Sequence, residues 1–355
     1  MPMRMSRKMK VVMVGPSLKM QGGVASVAKG YVKSGLGEMF DLSYIGTACD
    51  GSSLKKALTF MGALARFRRE LSSADIVHIH ASMRGSFERK FRIVSMAKEN
   101  GVPIIIHEHD GEFAALFEGA DEAYRSKVRE FFAWADRVIV LSEEWRDYFV
   151  RNVCDSSKIV VMHNAVALPK FQADPCTRQD VLFLGRLGAR KSPDVLLHAA
   201  KALRARFPET RYRFGGDGDV EKYCTLAAKL GIADICDFVG WVTGEDKERL
   251  VQQTGVFCLP SRNEGMPMSM LEMMAYGLPC IMTPVGGIPQ VIRDDENGYM
   301  SPVGDVDALV DLLTGLLASP ELRGRIGSAA RRTIEQDFDI DANIRRLEDL
   351  YRELS

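Results

Sequence analysis

Residues 260–275, PSRNEGMPMSMLEMMA, join an irregular loop to a helix and hold two glutamates eight positions apart. Gly and Pro punctuate the loop and exclude regular structure there, while the run from Ser269 onward predicts a helix that stops at Gly277. Backbone amides in the first turn of a helix bind anions, above all phosphate. Glu264 and Glu272 lie on either side of those amides and accept hydrogen bonds from hydroxyl groups. The stretch favours a sugar nucleotide as ligand; the alternative is a capped helix with one solvated and one buried glutamate.

Short β-rich runs alternate with helical patterns along most of the chain. The strand candidates are residues 10–15, 75–80, 103–107, 137–141, 159–162, 181–184, 212–215, 237–239, 256–259 and 279–282. Helical patterns lie between most of them, for example over residues 123–134 and 194–207. This alternation predicts an α/β protein with parallel sheets that helices cover on both faces.

The alternation is interrupted around residues 165–180, where Pro169 and Pro175 indicate a linker. We therefore expect one domain over residues 1–168 and a second that begins at residue 169. If both domains are doubly wound and face each other, they leave a cleft at the carboxyl ends of their strands, where ligands bind in such folds.

Size and composition are those of a globular protein. A chain of 355 residues with 46% apolar and 26% charged residues usually forms two domains with separate cores. The seven cysteines are isolated, which argues for a reducing, cytoplasmic compartment and against structural zinc. The apolar run after the basic N-terminus covers only residues 11–14, too short for a signal peptide or a membrane span.

Two cations follow the strand candidate at residues 181–184. Arg186 and Lys191 lie in the loop between this strand and the next helix, at the same sheet edge as the Glu264 loop. An Arg fork and a Lys point charge suit a diphosphate, although cations in surface loops are usually solvated.

Glycines end several strands of the second half and allow a ligand to approach the backbone closely. Gly216 follows one strand, and the backbone near Val242 either accepts the edge of a nucleobase or simply forms a turn. The string Asp217-Gly218-Asp219 has the spacing of a D-x-D metal motif, but similar pairs occur at 305/307, 337/339 and 339/341. Such repetition makes each copy weak evidence, and we expect no metal site.

These pieces together resemble the family 4 glycosyltransferases of the two-Rossmann, GT-B type, over nearly the whole chain. The matching text is GRLGARK at 185–191, GGDGD at 215–219, VGWV at 239–242, PSRNEGMPMSMLEMMAYGLP at 260–279 and VGGIP at 285–289. The resemblance implies two Rossmann-like domains facing across a cleft, the second of which ends near residue 337. A C-terminal helix over about residues 338–355 is expected to pack back onto the first domain.

The resemblance also implies roles for residues of the second half. Arg186 and Lys191 would bind the diphosphate of a UDP- or GDP-type donor, Glu264 the transferred sugar and Glu272 the ribose hydroxyls. The backbone would contact the donor at Gly216, Val242, Gly265, Met266, Pro267, Met268 and Ser269. The family retains the anomeric configuration and needs no metal or other cofactor.

The first half fits the bacterial polysaccharide branch of the same family. Gly22 and Gly23 match a glycine loop that faces the donor phosphate and the acceptor. In the string HEHDG at 107–111, His109 best matches the family's active-site histidine and His107 is the second choice. His80, at the end of a strand, is either an acceptor-side residue or a satisfied core residue.

Three positions depart from the family pattern. Asn164-Ala165-Val166 replaces Asn-Gly-Val, which a left-handed backbone at residue 165 would resist. Ser192 replaces Gly after Lys191, so that loop is expected to be reshaped, and Asp110 replaces a more common Gly.

The acceptor side is predicted from charge. Residues 1–170 contain 25 basic and 19 acidic residues, a net charge of +6, while the remainder carries −6. Apolar residues recur at helical spacing among basic ones, at Leu54, Leu58, Met61, Leu64 and Ala65, and further along Arg84 adds positive charge. Such a stripe either faces the core or lies on an anionic membrane. Membrane docking at the inner face would favour a polyprenyl-diphosphate-linked acceptor over a free saccharide, for capsule or exopolysaccharide synthesis; no nucleic-acid partner is expected.

Three other functions compete with a transferase. A non-catalytic sugar-nucleotide binder and a sugar phosphorylase would share the two-domain plan. A nicotinamide-dependent dehydrogenase is disfavoured because the first strand ends in VGPSL, residues 14–18, without the G-x-G-x-x-G spacing.

Overall fold

The computed structural model describes residues 7–83 and 85–355. The chain divides into two compact units. The first consists of the described part of Met1–Ala165 together with Ile340–Ser355, and the second of Val166–Asp339.

The first unit is an α/β layer structure around a six-stranded parallel sheet. Its strands are β1 (Lys10–Gly15), β2 (Asp41–Gly46), β3 (Ile76–Ala81), β4 (Ile104–Glu108), β5 (Arg137–Val140) and β6 (Ile159–Val161). Its helices are α1 (Gly23–Lys33), α2 (Leu36–Met39), α3 (Ser53–Leu71), α4 (Phe87–Glu99), α5 (Phe113–Glu118), α6 (Glu122–Ala133), α7 (Glu143–Asn152) and the last helix of the chain (Ile340–Glu353). The sheet order is β2-β1-β3-β4-β5-β6, so the order reverses between β1 and β3.

The two faces of this sheet differ in polarity. Alternate residues of the central strands, such as Val77, Ile79 and Ile106, join an apolar core with α3, α4, α5, α6 and α7. The intervening positions of β3 and β4 include His78, His80 and His107, and aromatic side chains from α1 and the last helix pack near these histidines. The period of two along a strand sends these two sets to opposite faces.

The last helix is tied to the first unit by polar contacts. Asn343 donates to the carbonyl of His163 at 2.6 Å, and Arg346 to that of Val161 at 2.9 Å. Tyr351 Oη lies 2.6 Å from His78 Nδ1. The chain therefore returns to its first unit after completing the second.

The second unit contains another six-stranded parallel sheet. Its strands are β7 (Asp180–Leu184), β8 (Tyr212–Gly215), β9 (Cys236–Gly240), β10 (Thr254–Leu259), β11 (Cys280–Met282) and β12 (Tyr299–Met300). Its helices are α8 (Pro193–Leu203), α9 (Val220–Leu230), α10 (Gly244–Gln253), α11 (Met268–Ala275), α12 (Val306–Ala318) and α13 (Pro320–Asp337), so the last helix of the chain is α14. The order β12-β11-β10-β7-β8-β9 is the doubly wound order of dinucleotide-binding folds.

The ten predicted strands are present, and two further strands escaped the sequence analysis. β2 is a half-exposed edge strand without a continuous apolar run, and β12 has only two residues. Each adds to the outer edge of its sheet. Neither strand alters the prediction of two parallel α/β sheets.

Candidate functional site

The order of the second sheet reverses between β7 and β10, which are hydrogen-bonded neighbours. The loops that follow these two strands therefore emerge side by side at the carboxyl edge of the sheet, the usual ligand site of such folds. Lys191 comes from the loop after β7 and Glu264 from the loop after β10. The topology thus brings together two residues that lie 73 positions apart in the sequence.

Lys191 and Glu264 form a buried ion pair. Lys191 Nζ lies 2.5 Å from Glu264 Oε1, which also accepts a hydrogen bond from Ser261 Oγ at 2.7 Å. Burial tends to raise the pKa of Glu264, but the positive charges of Lys191 and Arg190 outweigh it, so its pKa is lowered. Burial lowers the pKa of Lys191 although Glu264 opposes the shift. The carboxylate is therefore ionised and held in one orientation.

Arg190 belongs to this cluster and was missed by the sequence analysis. Its Nη1 donates to the carbonyl oxygen of Asn263 at 3.1 Å and lies 3.3 Å from Glu264 Oε2. The guanidinium remains partly exposed. The sequence signal for Arg190 was its position next to Lys191. Ser261 was also missed, and its signal was its position three residues before Glu264. The cluster has two cations around one carboxylate, a net positive charge that suits an anionic ligand.

Arg186 is not part of this ion pair. Its side chain is 72% exposed and lies 3.8 Å from Asp217, in the loop after β8. Leu187 donates to the carbonyl of Asp217 at 2.7 Å, which joins the loops after β7 and β8. Arg186 therefore stands at the same sheet edge as Lys191 but contacts a different acid. Whether both bind one diphosphate stays a prediction.

Gly216 lies at a close contact between the loops after β7 and β8. A Cβ on Gly216 would approach the carbonyl oxygen of Gly185 to 1.9 Å, so no other residue fits without moving the backbone. Beyond it, Val242 is half-buried and packs close to Gly215. Their roles in donor binding remain predictions.

A second glycine motif, VGGIP at residues 285–289, packs against the loop that contains Glu264 and Gly265. Gly287 donates to the carbonyl of Gly265 at 2.6 Å, and a Cβ on Gly286 would lie 2.0 Å from the carbonyl oxygen of Glu264. The VGGIP string thus supports the Glu264 loop. The predicted donor-contacting residues of this loop run directly into α11: Met266, Pro267 and Met268 are buried and Ser269 is half-buried.

Helix α11 begins at Met268, one residue before the predicted start, and no side chain caps it. Its first-turn amides therefore have no side-chain acceptor, as an anion seat requires. Glu272 lies one turn further along the helix, and its carboxylate forms an ion pair with Lys247 Nζ at 3.0 Å. Lys247, on α10, had no signal in the sequence.

The departures from the family pattern have different outcomes. Ser192 adopts the left-handed conformation, with φ 49° and ψ 53°, directly before Pro193 at the start of α8. The loop thus keeps a backbone that favours glycine, at a steric cost to serine. Ala165 is not among the described residues with positive φ, so its replacement of glycine meets no such cost.

In the first unit, Gly22 and Gly23 lie at the start of α1, after the loop that follows β1. Gly22 has φ 124° and no side chain caps the helix. A Cβ on Gly23 would meet no atom within 4 Å. Packing within the described structure therefore does not require glycine at residue 23, and the open space beside this backbone is available to a ligand.

Four histidines converge at the ends of β3 and β4. His80 Nδ1 lies 2.9 Å from His109 Nε2, and the rings of His107 and His109 are 4.1 Å apart. His80 and His107 are buried, whereas His109 is half-buried. Burial lowers the pKa of His109 to about 3, so this imidazole is neutral near pH 7. Arg84, the other acceptor-side candidate, lies outside the described residues.

The backbone around His109 is held by its acidic neighbours. The amides of His109 and Asp110 both donate to Glu108 Oε1, at 2.9 and 2.7 Å. Asp110 Oδ2 accepts from the amide of Met83 at 3.2 Å. Asp110 thus links the loops after β4 and β3, a role that glycine at this position could not fill.

Lys90 is a buried cation at the same edge and was not identified from the sequence. Its Nζ donates to Thr47 Oγ1 at 2.9 Å, and no carboxylate among the described residues pairs with it. Burial and the charge of Arg89 lower its pKa to about 7.

Two family models match this chain and together cover most of it. The model described as a glycosyl transferase 4-like domain matches residues 42–165, within the first unit. The model described as glycosyl transferases group 1 matches residues 168–333, within the second.

The relatives of this chain are named as glycosyltransferases, some of them of polysaccharide biosynthesis. The amylovoran biosynthesis glycosyltransferase AmsK of Erwinia amylovora is 25% identical over 82% of this chain and 74% of its own. An Escherichia coli protein named UDP-Gal:alpha-D-GlcNAc-diphosphoundecaprenol alpha-1,3-galactosyltransferase is 26% identical over 87% of this chain and 82% of its own. The chain spans 65% to 82% of the length of the first such relatives.

A solved structure shares the fold over almost the whole chain. Anabaena Alr3699/HepE, determined with UDP-glucose, superimposes with a TM-score of 0.77, 16% identity, and coverage of 97% of this chain and 100% of that one. The similarity extends over both units. The family models and the relatives agree: the chain belongs to the family 4 glycosyltransferases, and it has the GT-B fold.

Proposed function

We propose that this protein moves a sugar from a nucleoside diphosphate sugar to a hydroxyl acceptor, with retention of anomeric configuration and without a metal. The observation that carries the proposal is the Lys191–Glu264 pair at the reversal point of the second sheet. The pair joins a positive charge to an ionised carboxylate in two neighbouring loops of one sheet edge, and the uncapped start of α11 follows the second of these loops. A diphosphate joined to a sugar presents the matching groups.

The proposed chemistry separates charge. The bond between the anomeric carbon and the diphosphate oxygen breaks, negative charge builds on the leaving group, and the ring becomes electron-poor. Lys191, Arg190 and the α11 amides stabilise the first charge without reorganising, a term that usually dominates catalysis. Arg186 adds its guanidinium from the same sheet edge.

The acceptor oxygen then bonds to the anomeric carbon on the face the diphosphate leaves, and its proton passes to a phosphate oxygen of the leaving group. Glu264, whose pKa is lowered, accepts a hydrogen bond from a sugar hydroxyl rather than serving as an acid. His109, neutral near pH 7, contributes a hydrogen bond to the transferred sugar. Trapping of a covalent glycosyl–enzyme on a carboxylate would refute this same-face pathway.

The names of the relatives support a UDP donor and a lipid-linked acceptor. One relative is named for UDP-Gal and a diphosphoundecaprenol-linked sugar, and the HepE structure holds UDP-glucose. For this chain we propose UDP as the nucleotide, with GDP as the alternative. The proposed acceptor is a polyprenyl-diphosphate-linked saccharide.

Helix α3 supports an acceptor that resides in a membrane. Leu54, Leu58 and Met61 are 70%, 60% and 65% exposed and, at spacings of four and three, lie on one face of the helix. Its core side is formed by other residues, including Phe67 and Leu71. The stripe predicted from the sequence thus does not face the core at these three positions. The same helix carries exposed Lys55 and Lys56, and basic residues are also found on helices that lie on anionic bilayers.

No helix among the described residues has the length and apolar composition needed to span a bilayer. We therefore propose peripheral docking through α3 at the cytoplasmic face. In pelleting with vesicles of phosphatidylglycerol and phosphatidylcholine, the protein should bind at low salt and dissociate as salt rises.

The docking variant is Leu54→Ser/Leu58→Ser/Met61→Ser, which should lose most of the binding. Val239→Ser/Val303→Ser removes exposed apolar surface from the second unit and is the control. Equal binding by the two variants would exclude α3 as the docking surface.

The enzymatic test begins with a thermal-shift screen of sugar nucleotides, followed by donor hydrolysis without acceptor and transfer with a polyprenyl-diphosphate saccharide. Binding without turnover would support a non-catalytic binder. Cleavage of a glycoside by inorganic phosphate to give a sugar 1-phosphate would support a phosphorylase, and a change in nicotinamide absorbance would support a dehydrogenase. Arg186→Ala and Lys191→Ala should each lower kcat on the order of 10²-fold; near-normal turnover of both would remove the diphosphate assignment.

Retention and metal independence need their own measurements. Proton NMR of the earliest product gives its anomeric configuration, which should equal that of the donor. After treatment with excess EDTA, transfer should need no added magnesium or manganese. An inverted product would overturn the first claim, and loss of activity restored by magnesium or manganese the second.

A further inference from the structure

A cluster of buried histidines in the first unit has binding capacity that the proposed transfer does not use. His78 and His80 alternate along β3, and His107 lies on β4 in register with His80. The three residues are 0%, 1% and 0% exposed. They lie on the sheet face opposite the apolar core.

The hydrogen bonding of this cluster is incomplete. His78 Nε2, His80 Nε2 and both ring nitrogens of His107 are buried and have no hydrogen-bond partner among the described residues. An unsatisfied buried polar group destabilises the folded protein and calls for an explanation, such as an ion. The cluster contains four such atoms, and a bound ion would provide a partner for several of them at once.

These residues also meet in space. One ring nitrogen from each of His78, His80 and His107 lies within 4.8 Å of the other two. Imidazole nitrogen is a preferred ligand of zinc, copper and nickel.

From this geometry we infer that His78, His80 and His107 form a binding site for one divalent transition-metal ion, zinc above all. Three histidines and one water molecule satisfy tetrahedral zinc. Ligand nitrogens on one zinc are about 3.3 Å apart, given bonds of about 2.0–2.1 Å. The ring planes lie within 12–29° of one another, so binding must rotate the imidazoles until their lone pairs converge.

Two flanking groups support the assignment. Tyr351 Oη lies 2.6 Å from His78 Nδ1, and His109 Nε2 lies 2.9 Å from His80 Nδ1. Metal-binding histidines almost always engage their second nitrogen in this way, which fixes the ring and its tautomer. The unpaired Nε2 atoms of His78 and His80 are then the ligand atoms.

The site would act on His109 through His80. With a metal on Nε2, His80 carries its proton on Nδ1 and donates it to His109 Nε2. The remaining proton of His109 then sits on Nδ1. The ion thus sets the tautomer of the histidine proposed to contact the sugar, while taking no part in the bond changes.

The test measures metal retained by the tag-free full chain after incubation with zinc and gel filtration. Wild type should keep about one zinc per chain, and His107→Leu less than a tenth of that. His198→Ala, which removes an exposed histidine of the second unit, is the matched control and should behave as wild type. A zinc-poor wild type, or a His107→Leu protein that keeps its zinc, overturns the proposal.

Cobalt supplies a readout independent of activity. Wild type should show the visible bands of four-coordinate cobalt, His107→Leu should not, and His107→Cys should regain them with an added sulfur charge-transfer band. Bands in His107→Leu, or none in wild type, count against the site.

Thermal unfolding separates metal loss from misfolding. Zinc at 100 times its Kd should raise the Tm of the first unit by about 5–10 °C in wild type and leave that of His107→Leu unchanged. In chelator, His107→Leu should be at least as stable as wild type, because leucine leaves no unpaired nitrogen. If zinc does not change the Tm of wild type and the leucine variant is the more stable protein, the histidines pack together without binding an ion and the proposal fails.

Discussion

Lys191 Nζ and Glu264 Oε1 lie 2.5 Å apart in a nearly closed environment, with Arg190 on the other carboxylate oxygen. Taking two charges out of water is costly, and their attraction offsets that cost only when both are present. The pair therefore ties the loops after β7 and β10 to each other. It also leaves the positive charge of Arg190 available to a ligand.

Breaking this pair should affect stability and activity separately. Glu264→Gln leaves the buried Lys191 beside Arg190 and a neutral amide, with no carboxylate to balance its charge. The free energy of unfolding should therefore fall by about 3–5 kcal/mol. The double variant Lys191→Met/Glu264→Leu should recover most of that loss but not kcat, which should stay at least about 10²-fold below wild type. Urea unfolding and steady-state kinetics measure both effects.

The exposed pair Arg204–Asp234 is the control for that experiment. Asp234→Asn should leave the free energy of unfolding nearly unchanged, because solvent screens both charges. If Glu264→Gln costs no more than Asp234→Asn, the Lys191–Glu264 pair does not join the two loops energetically.

Glu272 should act on donor binding rather than on the transfer step. Its carboxylate is partly exposed and held by Lys247 at 3.0 Å. A ribose hydroxyl is bound equally in the ground and transition states, so Glu272→Ala should raise donor KM about 10-fold or more with kcat little changed. A fall in kcat at unchanged KM would assign Glu272 to the reacting sugar instead.

Gly23→Ala tests whether a ligand approaches the start of α1. The new methyl group meets no protein atom within 4 Å, and alanine favours a helix over glycine by about 1 kcal/mol. The variant should thus fold at least as stably as wild type, yet transfer at least about 10-fold more slowly if phosphate or acceptor contacts this backbone. Gly315→Ala in α12, where a Cβ is equally free of contacts, should leave activity unchanged. Full activity of Gly23→Ala would remove this loop from the site.

The backbone strain at Ser192 can be measured with two substitutions. Both Ser192→Gly and Ser192→Ala lose the hydrogen bond from Ser192 Oγ to the carbonyl of Ala189. Only glycine adopts φ 49° without a steric cost. The glycine variant should therefore be more stable than the alanine variant by about 1–2 kcal/mol in chemical denaturation. Equal stabilities would mean that the left-handed backbone at this position carries no strain.

Lys90 should give the first unit a pH-dependent stability. Its pKa is lowered to about 7 by burial and by Arg89, from an ordinary value of 10.5. Between these two pH values the unfolded chain keeps a proton that the folded protein releases, so stability rises with pH. The slope from this group should reach about 1.4 kcal/mol per pH unit.

The difference between wild type and Lys90→Met isolates that contribution, because other groups titrate equally in both. Below pH 7 the methionine variant should be the more stable protein, and the advantage should shrink steadily up to about pH 10. Lys98→Met, an exposed site on the same helix, should show no such trend. Parallel stability curves for wild type and Lys90→Met would rule out a depressed pKa.

Much of this protein could be read from its sequence because the relevant signals are local. The strand periodicity, the Gly and Pro positions and the loop-to-helix stretch at residues 260–275 depend on neighbouring residues only. They were sufficient for two parallel α/β sheets and for the family. Edge strands β2 and β12 lacked such a signal, because one is half-exposed and the other has two residues.

Long-range placement was decided by tertiary structure alone. The sheet order brings Arg190 to Glu264 across 74 positions, and the return of α14 sets Tyr351 against His78 across 273. The same packing turns Leu54 and Leu58 outward although their spacing also suits a buried face. Sequence fixes which side chains share a face of their own element. Which partner that face meets, or whether it meets water, depends on how separate elements pack.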